Sequence, residues 1–141
     1  MTDSAILRPA SGPWLTRGPG IRTFNIVTRA IGGRVFLNGI TEFSPGAEIP
    51  AHFHNCEESV TILEGAGTLE LDGEPMELEP FESTWIAAGV RHRFVNRGQG
   101  VLTILWIYGS ANATRTVVAT GVEVGVGDSN DVYTLLGSWP R

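Results

Sequence analysis

Short runs of apolar residues, most alternating with polar ones and broken by glycine or proline, fill the middle of this chain. Arg22–Thr28 reads as one β-type run and Arg34–Phe43 as a second, closed by the turn Ser44-Pro45-Gly46. Ala51–His54, Ser59–Leu63 and Gly67–Leu71 follow, and Asp72-Gly73 is a strong hairpin signal that returns the chain through Met76–Leu78. Thr84–Ala87, His92–Asn96 and the strongly apolar Val101–Tyr108 complete the series, with turns at Gly89 and Gly98-Gln99-Gly100. Turns recur about every 8–12 residues, the spacing of an all-β sandwich or barrel. No segment carries a sustained helical period. Residues 1–20, rich in Pro and Gly, read as an N-terminal arm that packs through Trp14 and Ile21; 21–120 form the barrel and 121–141 a C-terminal tail. A further strand is expected near Arg115–Ala119, and Tyr133–Leu136 as a short docking segment.

Composition sharpens this. A chain of 141 residues forms one domain with a sizeable core. Eighteen glycines and eight prolines suit many turns. The net charge of −5, with no Lys/Arg cluster, argues against nucleic acid as a partner. Val101–Tyr108 is too short to cross a bilayer as a helix, and the N-terminus lacks a basic, then apolar, secretory leader. The lone Cys56 leaves no internal disulfide. These features predict a cytoplasmic protein with no membrane partner. The sequon Asn112-Ala113-Thr114 is then read as chance.

Candidate chemistry comes from the histidines, of which the chain has three. His52 and His54 are two residues apart in an expected strand, so both point to one face, about 6–7 Å apart at Cα. Glu58 keeps their parity, whereas Phe53 and Glu57 face away. His92 arrives from another strand, with Arg91 and Arg93 on its opposite face. Three imidazoles and a carboxylate suit a divalent transition metal: Fe, Mn, Ni, Co or Zn. With neutral imidazoles the centre is formally singly positive, and it favours anionic bidentate ligands. Val60, Ile62 and Phe94 share parity with Glu58 or His92, as pocket wall or as core. Cys56 is read as a small buried hydrophobe.

These residues resemble the cupin superfamily. Its first motif is matched by Gly46, His52, His54, Glu58 and Gly65, and the spacing to Gly65 selects Glu58 over Glu57. Its second motif is matched at Gly89, His92 and Asn96, but Phe81 stands where the motif has glycine and Ala87 where it has proline. The resemblance spans about residues 34–108. It implies a double-stranded β-helix, or jelly-roll, barrel with the ion near its centre. It leaves the reaction open, since cupins include dioxygenases, decarboxylases, isomerases, lyases and non-catalytic modules.

Val101–Tyr108 is largely apolar on both faces: Leu102, Ile104, Trp106 and Tyr108 on one, Val101, Leu105 and Ile107 on the other, with Thr103 the exception. A half-exposed sheet would alternate. A second copy of the chain is the simplest cover, helped by Phe53 and Leu63; the arm or tail is the alternative. The sequence therefore predicts a homodimeric metal protein acting on a small anionic or oxygen-rich molecule. An oxygenase is the favoured class, a metal-dependent isomerase, lyase or decarboxylase the alternative, and a non-catalytic binding module the third reading. No further histidine is available as a general base, which leaves Glu58, Tyr108 or metal-bound hydroxide.

Overall fold

The structure is a computed structural model that describes residues 3–131. After a 3-10 turn at Pro9–Ser11 come twelve strands: β1 (Leu15–Gly18), β2 (Ile21–Val27), β3 (Leu37–Phe43), β4 (His52–His54), β5 (Glu58–Glu64), β6 (Gly67–Leu71), β7 (Glu74–Leu78), β8 (Ser83–Ile86), β9 (His92–Val95), β10 (Leu102–Tyr108), β11 (Thr114–Val117) and β12 (Glu123–Gly125). They build two antiparallel sheets, ordered β1-β2-β3-β10-β5-β8 and β12-β11-β4-β9-β6-β7. The sheets close on each other as a jelly-roll barrel. Among the described residues no helix is long and apolar enough to cross a membrane. The expected segment Tyr133–Leu136 lies outside the described residues.

Period-two alternation decides which side chains enter the barrel. β3 alternates buried and half-buried along its whole length, as does β5 up to its exposed last residue, Glu64. Register then stacks inward-facing residues in layers across the first sheet: Phe43 beside Leu102, then Thr41 beside Ile104 and Ile62, then Gly39 beside Trp106 and Val60, then Leu37 beside Tyr108 and Glu58. Phe43, Ile62 and Leu102 are fully buried at one end of the core. Trp106 lies against Gly39, where a Cβ would collide with the indole and stand 2.8 Å from the Phe24 carbonyl oxygen. Glycine there is a packing requirement.

The hairpin at Asp72-Gly73 has both turn residues at positive φ, 49° and 85°, as a type I′ turn requires. The arm contributes more than packing: Leu15–Gly18 pairs with β2 as the edge strand of the first sheet. Trp14 sets its ring 5.7 Å from that of Phe24 and so covers part of the outer face. β3 starts at Leu37, three residues later than the apolar run suggests, because Arg34, Val35 and Phe36 are exposed in the approach to the sheet.

Phe81 has φ 71°, the left-handed region that glycine tolerates best. Its N–H donates to the Ile62 carbonyl at 2.7 Å, which holds the turn between β7 and β8 in place. The side chain is 80% exposed, so it offsets little of the strain. Phe81→Gly should therefore stabilise the protein. Relief of about 1–2 kcal/mol of left-handed strain is set against about 0.5–1 kcal/mol of added chain entropy. Urea denaturation checks this, and a lower midpoint for the variant would contradict it.

Candidate metal centre

His52 and His54 stand on β4 and His92 on the adjacent β9, where His52 and His92 are register partners. All three rings are buried and face the interior. Their centroids lie 4.5 Å (His52–His92), 4.9 Å (His52–His54) and 5.2 Å (His54–His92) apart. One ligand-competent atom from each falls within 4.8 Å of the others.

The backbone fixes how the rings point. Nδ1 of His52 lies 2.7 Å from the Pro50 carbonyl oxygen, that of His54 2.9 Å from Thr114, and that of His92 2.9 Å from Val90. Carbonyls only accept, so each Nδ1 carries the proton and donates. This leaves Nε2 as the atom each ring turns toward the others, the tautomer a metal ligand needs. His54 Nε2 is buried with no hydrogen-bond partner among the described residues. Such an orphaned lone pair is costly unless something binds it.

Glu58 reaches the group from β5, on the opposite sheet. Its Oε1 lies 2.8 Å from Nε2 of His92 and 3.5 Å from Nε2 of His54. Burial alone would raise the Glu58 pKa, but the nearby charge of His54 and the hydrogen bond and charge of His92 overcome it and hold the carboxyl well below its ordinary value. Burial likewise works against a charged His92, and the Glu58 hydrogen bond and charge outweigh it, raising its pKa. His52 moves the other way: burial, then the neighbouring His92, His54 and Arg115 charges, push it well below its usual value. Glu57 is exposed, and its carboxylate accepts from Trp85 Nε1 at 2.7 Å. Arg93 sits on the outer side of β9, paired with Glu70 and Glu48.

These shifts have a sign for metal binding. In the metal-free protein His92 holds a proton to higher pH than a free imidazole, and that proton must leave before Nε2 can ligate. Metal affinity should therefore rise with pH through and above the ordinary histidine range. Calorimetry in buffers of different ionisation enthalpy checks this through proton release. Affinity independent of pH between about 6 and 8, the window around an ordinary histidine, would contradict it.

The His52 and His92 rings border a narrow cavity between the two sheets, whose side chains leave free space for about one water-sized sphere. Val60 and Phe94 line it, whereas Ile62 lies among the core residues beyond. Cys56 packs half-buried against the core, outside the cavity lining, and burial pushes its thiol pKa up. Asn96, the last residue of the second motif, is a brace: its Nδ2 donates to the carbonyls of Phe43 and Gly100.

Sequence reasoning missed two cavity residues, Arg17 and Arg115. Both are buried, and both pair with buried Asp131. Burial alone would raise the Asp131 carboxyl, but the two guanidiniums hold it below its ordinary range. Arg115 had a signal, since it shares parity with Val117 in the expected strand Arg115–Ala119. Arg17 had none. Tyr108, Thr23 and Thr41 complete this polar wall, with Trp106 Nε1 donating to Thr41 Oγ1 at 2.8 Å. Tyr108 stacks toward His54, the ring centroids 4.6 Å apart.

Comparison with known proteins agrees with this architecture. The family described as Cupin domain matches residues 39–108. Auxin-binding protein 1 of Arabidopsis thaliana is 36% identical over 46% of this chain and 37% of its own length. Polyketide synthase CurC of Streptomyces cyaneus is 34% identical over 58% of this chain and 53% of its own. The chain thus spans about half or less of these relatives. The solved structure of the polyketide cyclase RemF from Streptomyces resistomycificus superposes with a TM-score of 0.71 at 21% identity, covering 94% of this chain and 92% of that one. At that identity the likeness shows the fold alone, and the same fold serves a salicylate 1,2-dioxygenase, an oxalate decarboxylase and a sugar phosphate isomerase. The matched family, the two-sheet barrel and the inward histidine cluster together make this chain a member of the cupin superfamily.

Proposed function

We propose that His52, His54, His92 and Glu58 hold one divalent transition metal ion (Fe, Mn, Ni, Co or Zn) and that the protein converts a small anionic or oxygen-rich organic molecule beside it. The observation that carries this reading is the set of three buried imidazoles, each locked by an Nδ1–H bond to a backbone carbonyl so that Nε2 is left to bind. When bound, the ion supplies Lewis acidity and, if redox-active, a route to dioxygen chemistry. Glu58 neutralises part of its charge, and its hydrogen bond to His92 makes it the group best placed to take or return a proton. Val60 and Phe94 form the apolar part of the wall, opposite the polar side chains that line the rest of it.

Oxygenation is the reaction class we favour, because three imidazoles and one carboxylate leave positions on an octahedral ion for two more ligands. A second reading is a metal-dependent isomerase, lyase or decarboxylase, in which the same ion would act only as a Lewis acid. Oxygen uptake separates them. With iron supplied and oxygen excluded, catechols, diketones or hydroxy acids should perturb the metal's spectrum, and admitting oxygen should then consume it. Spectral change without uptake would move the assignment to the Lewis-acid class. No change with any ligand would favour a non-catalytic module.

The same reading includes a homodimer. On the outer face of the first sheet Ile107, Ser59 and Trp85 form one register row, with Leu105 and Thr61 in the next. Trp85 is 69% exposed and Ile107 36%, beyond the part that Trp14 covers. A second copy would bury this face. Sedimentation should show a dimer at micromolar concentration that Trp85→Glu weakens; a wild-type monomer would contradict it.

A further inference from the structure

We propose that a second pocket, beside the histidine cavity, holds a neutral, ring-shaped end of the small molecule, and that Trp106 is the specificity-determining wall between the two. This deepens the function proposed above by naming the part of the substrate that lies away from the ion. The pocket itself contains none of the four proposed metal ligands.

The inner cavity has room for about one water, so a larger molecule needs space elsewhere. The second pocket has a volume of about 280 Å³ and shares Trp106 and Val126 with the inner one. An apolar cavity of about 150 Å³ already takes up benzene, so one substituted ring fits here. Register explains how the pocket is built. Asn25 is the partner of Gly39, and Gly39 of Trp106, so all three share the inner face of the first sheet. Gly39 has no side chain, and the indole lies in the space a Cβ would take. The pairing of β2 with β3 then slips between Asn25 and Val27, a bulge that bends β2 where both residues line the pocket.

The lining sets the chemistry of the ligand. Val27, Ala30, Leu37 and Val126 are apolar, as are the indole carbons. The indole Nε1 already donates to Thr41 Oγ1 at 2.8 Å, so Trp106 offers the pocket no hydrogen bond. Arg29 at the rim is committed as well. It donates to the Ala111 carbonyl at 2.8 Å and to Asp128 at 2.6 Å, and that carboxylate neutralises it. An anion entering the pocket is desolvated without an unpaired cation to meet it. Asn25 differs. Its half-buried amide has no hydrogen-bond partner among the described residues, and an amide both donates and accepts. A hydroxyl or carbonyl on one edge of the ring satisfies it. The occupant is therefore a neutral ring with one hydrogen-bonding group, and the indole decides how far toward His52 and His92 it reaches.

The test uses the full chain as purified and again after loading with Zn(II), which is diamagnetic. Amide shifts of residues 25–30 and 126–127 are followed by NMR. Phenol should give saturable shifts there in both preparations. Benzoate, the same ring with a charge, should bind at least several-fold more weakly at constant ionic strength, because its carboxylate either enters desolvated or leaves Asn25 unmet. Ala30 is exposed, so Ala30→Trp fills the pocket without disturbing the core and should abolish phenol binding. In Asn25→Leu the ratio of phenol to toluene affinity should fall about 2–10-fold, the worth of one net hydrogen bond. Trp106→Leu removes the wall, and the ratio of 2-naphthol to phenol affinity should rise at least about tenfold, a size selectivity that a purely structural role leaves unmoved. Trp106→Phe, a smaller loss from the core, should move it the same way and serves if the leucine variant does not fold. No saturable phenol shift in the wild type, benzoate binding as tight as phenol, or phenol affinity kept by Ala30→Trp would overturn the pocket. An unchanged ratio in Asn25→Leu or in the folded Trp106 variant would overturn the part assigned to that residue. Metal content of the same preparations reports separately on the proposed function, so either claim can fail alone.

Discussion

Alanine at position 92 should strip the protein of its metal. His92 is buried, its Nδ1 is tied to Val90, and its Nε2 meets both Glu58 and the two histidines of β4. Its loss removes a ligand and leaves Glu58 buried without its closest partner. Even groups that only support a ligand are worth about 10–100-fold in affinity, so removing a ligand should cost at least the upper end of that range. His52→Ala should behave alike. Glu57→Ala should leave metal content at the wild-type level, since that carboxylate is exposed and bound to Trp85. Metal analysis of the three variants checks this. If Glu57→Ala strips the ion while Glu58→Ala retains it, the ligand register is wrong.

The second large effect concerns stability. Asp131→Ala should destabilise the protein by about 3–5 kcal/mol, the usual penalty for removing one partner of a buried ion pair. The carboxylate sits between two guanidiniums that are themselves buried, and its removal concentrates positive charge inside the barrel. It also unties Gly127 from the wall that Val126 contributes to the cavity. Denaturant titration should show the Arg17→Gln/Asp131→Asn double variant losing less than the sum of its single variants, since the two side chains are in direct contact and each single change breaks the same pair. Strict additivity would mean that the two residues do not act as a unit.

Much of this fold was legible because period-two patterning leaves little choice about which residues face inward. Gly67–Leu71 was read at its true limits, and the Asp72-Gly73 turn and its returning strand follow from the φ demands of a type I′ hairpin. The histidine positions were legible for the same reason: i and i+2 share a face, and Glu58 keeps their parity, while its choice over Glu57 was also what the resemblance to the cupin motif implied through Gly65. Gly65 has φ 80° and would bring a Cβ against the Val101 carbonyl, so its place in the motif reflects a close backbone approach. The motif departure at Phe81 was visible as well, and the structure shows it as backbone strain.

What could not be read came from irregularity and distance. Arg17 faces the cavity because a bulge breaks the alternation of β1, and no periodicity argument anticipates a bulge. Asp131 meets Arg17 across more than a hundred positions of sequence. Ile62 has the right parity for the pocket but lies among the core residues beyond it, a matter of depth along the barrel that parity does not report.

The central claim is that this barrel is built around a metal ion. The most direct measurement is the metal content of the full chain by mass spectrometry after expression without added metal and extensive dialysis. It should be repeated after exposure to Fe(II), Mn(II), Ni(II), Co(II) and Zn(II) separately. About one equivalent of a transition metal per chain, removed by a chelator with a fall in melting temperature, is the expected result. A chain that holds none of these ions above a stoichiometric trace, and melts at the same temperature with and without chelator, would contradict it.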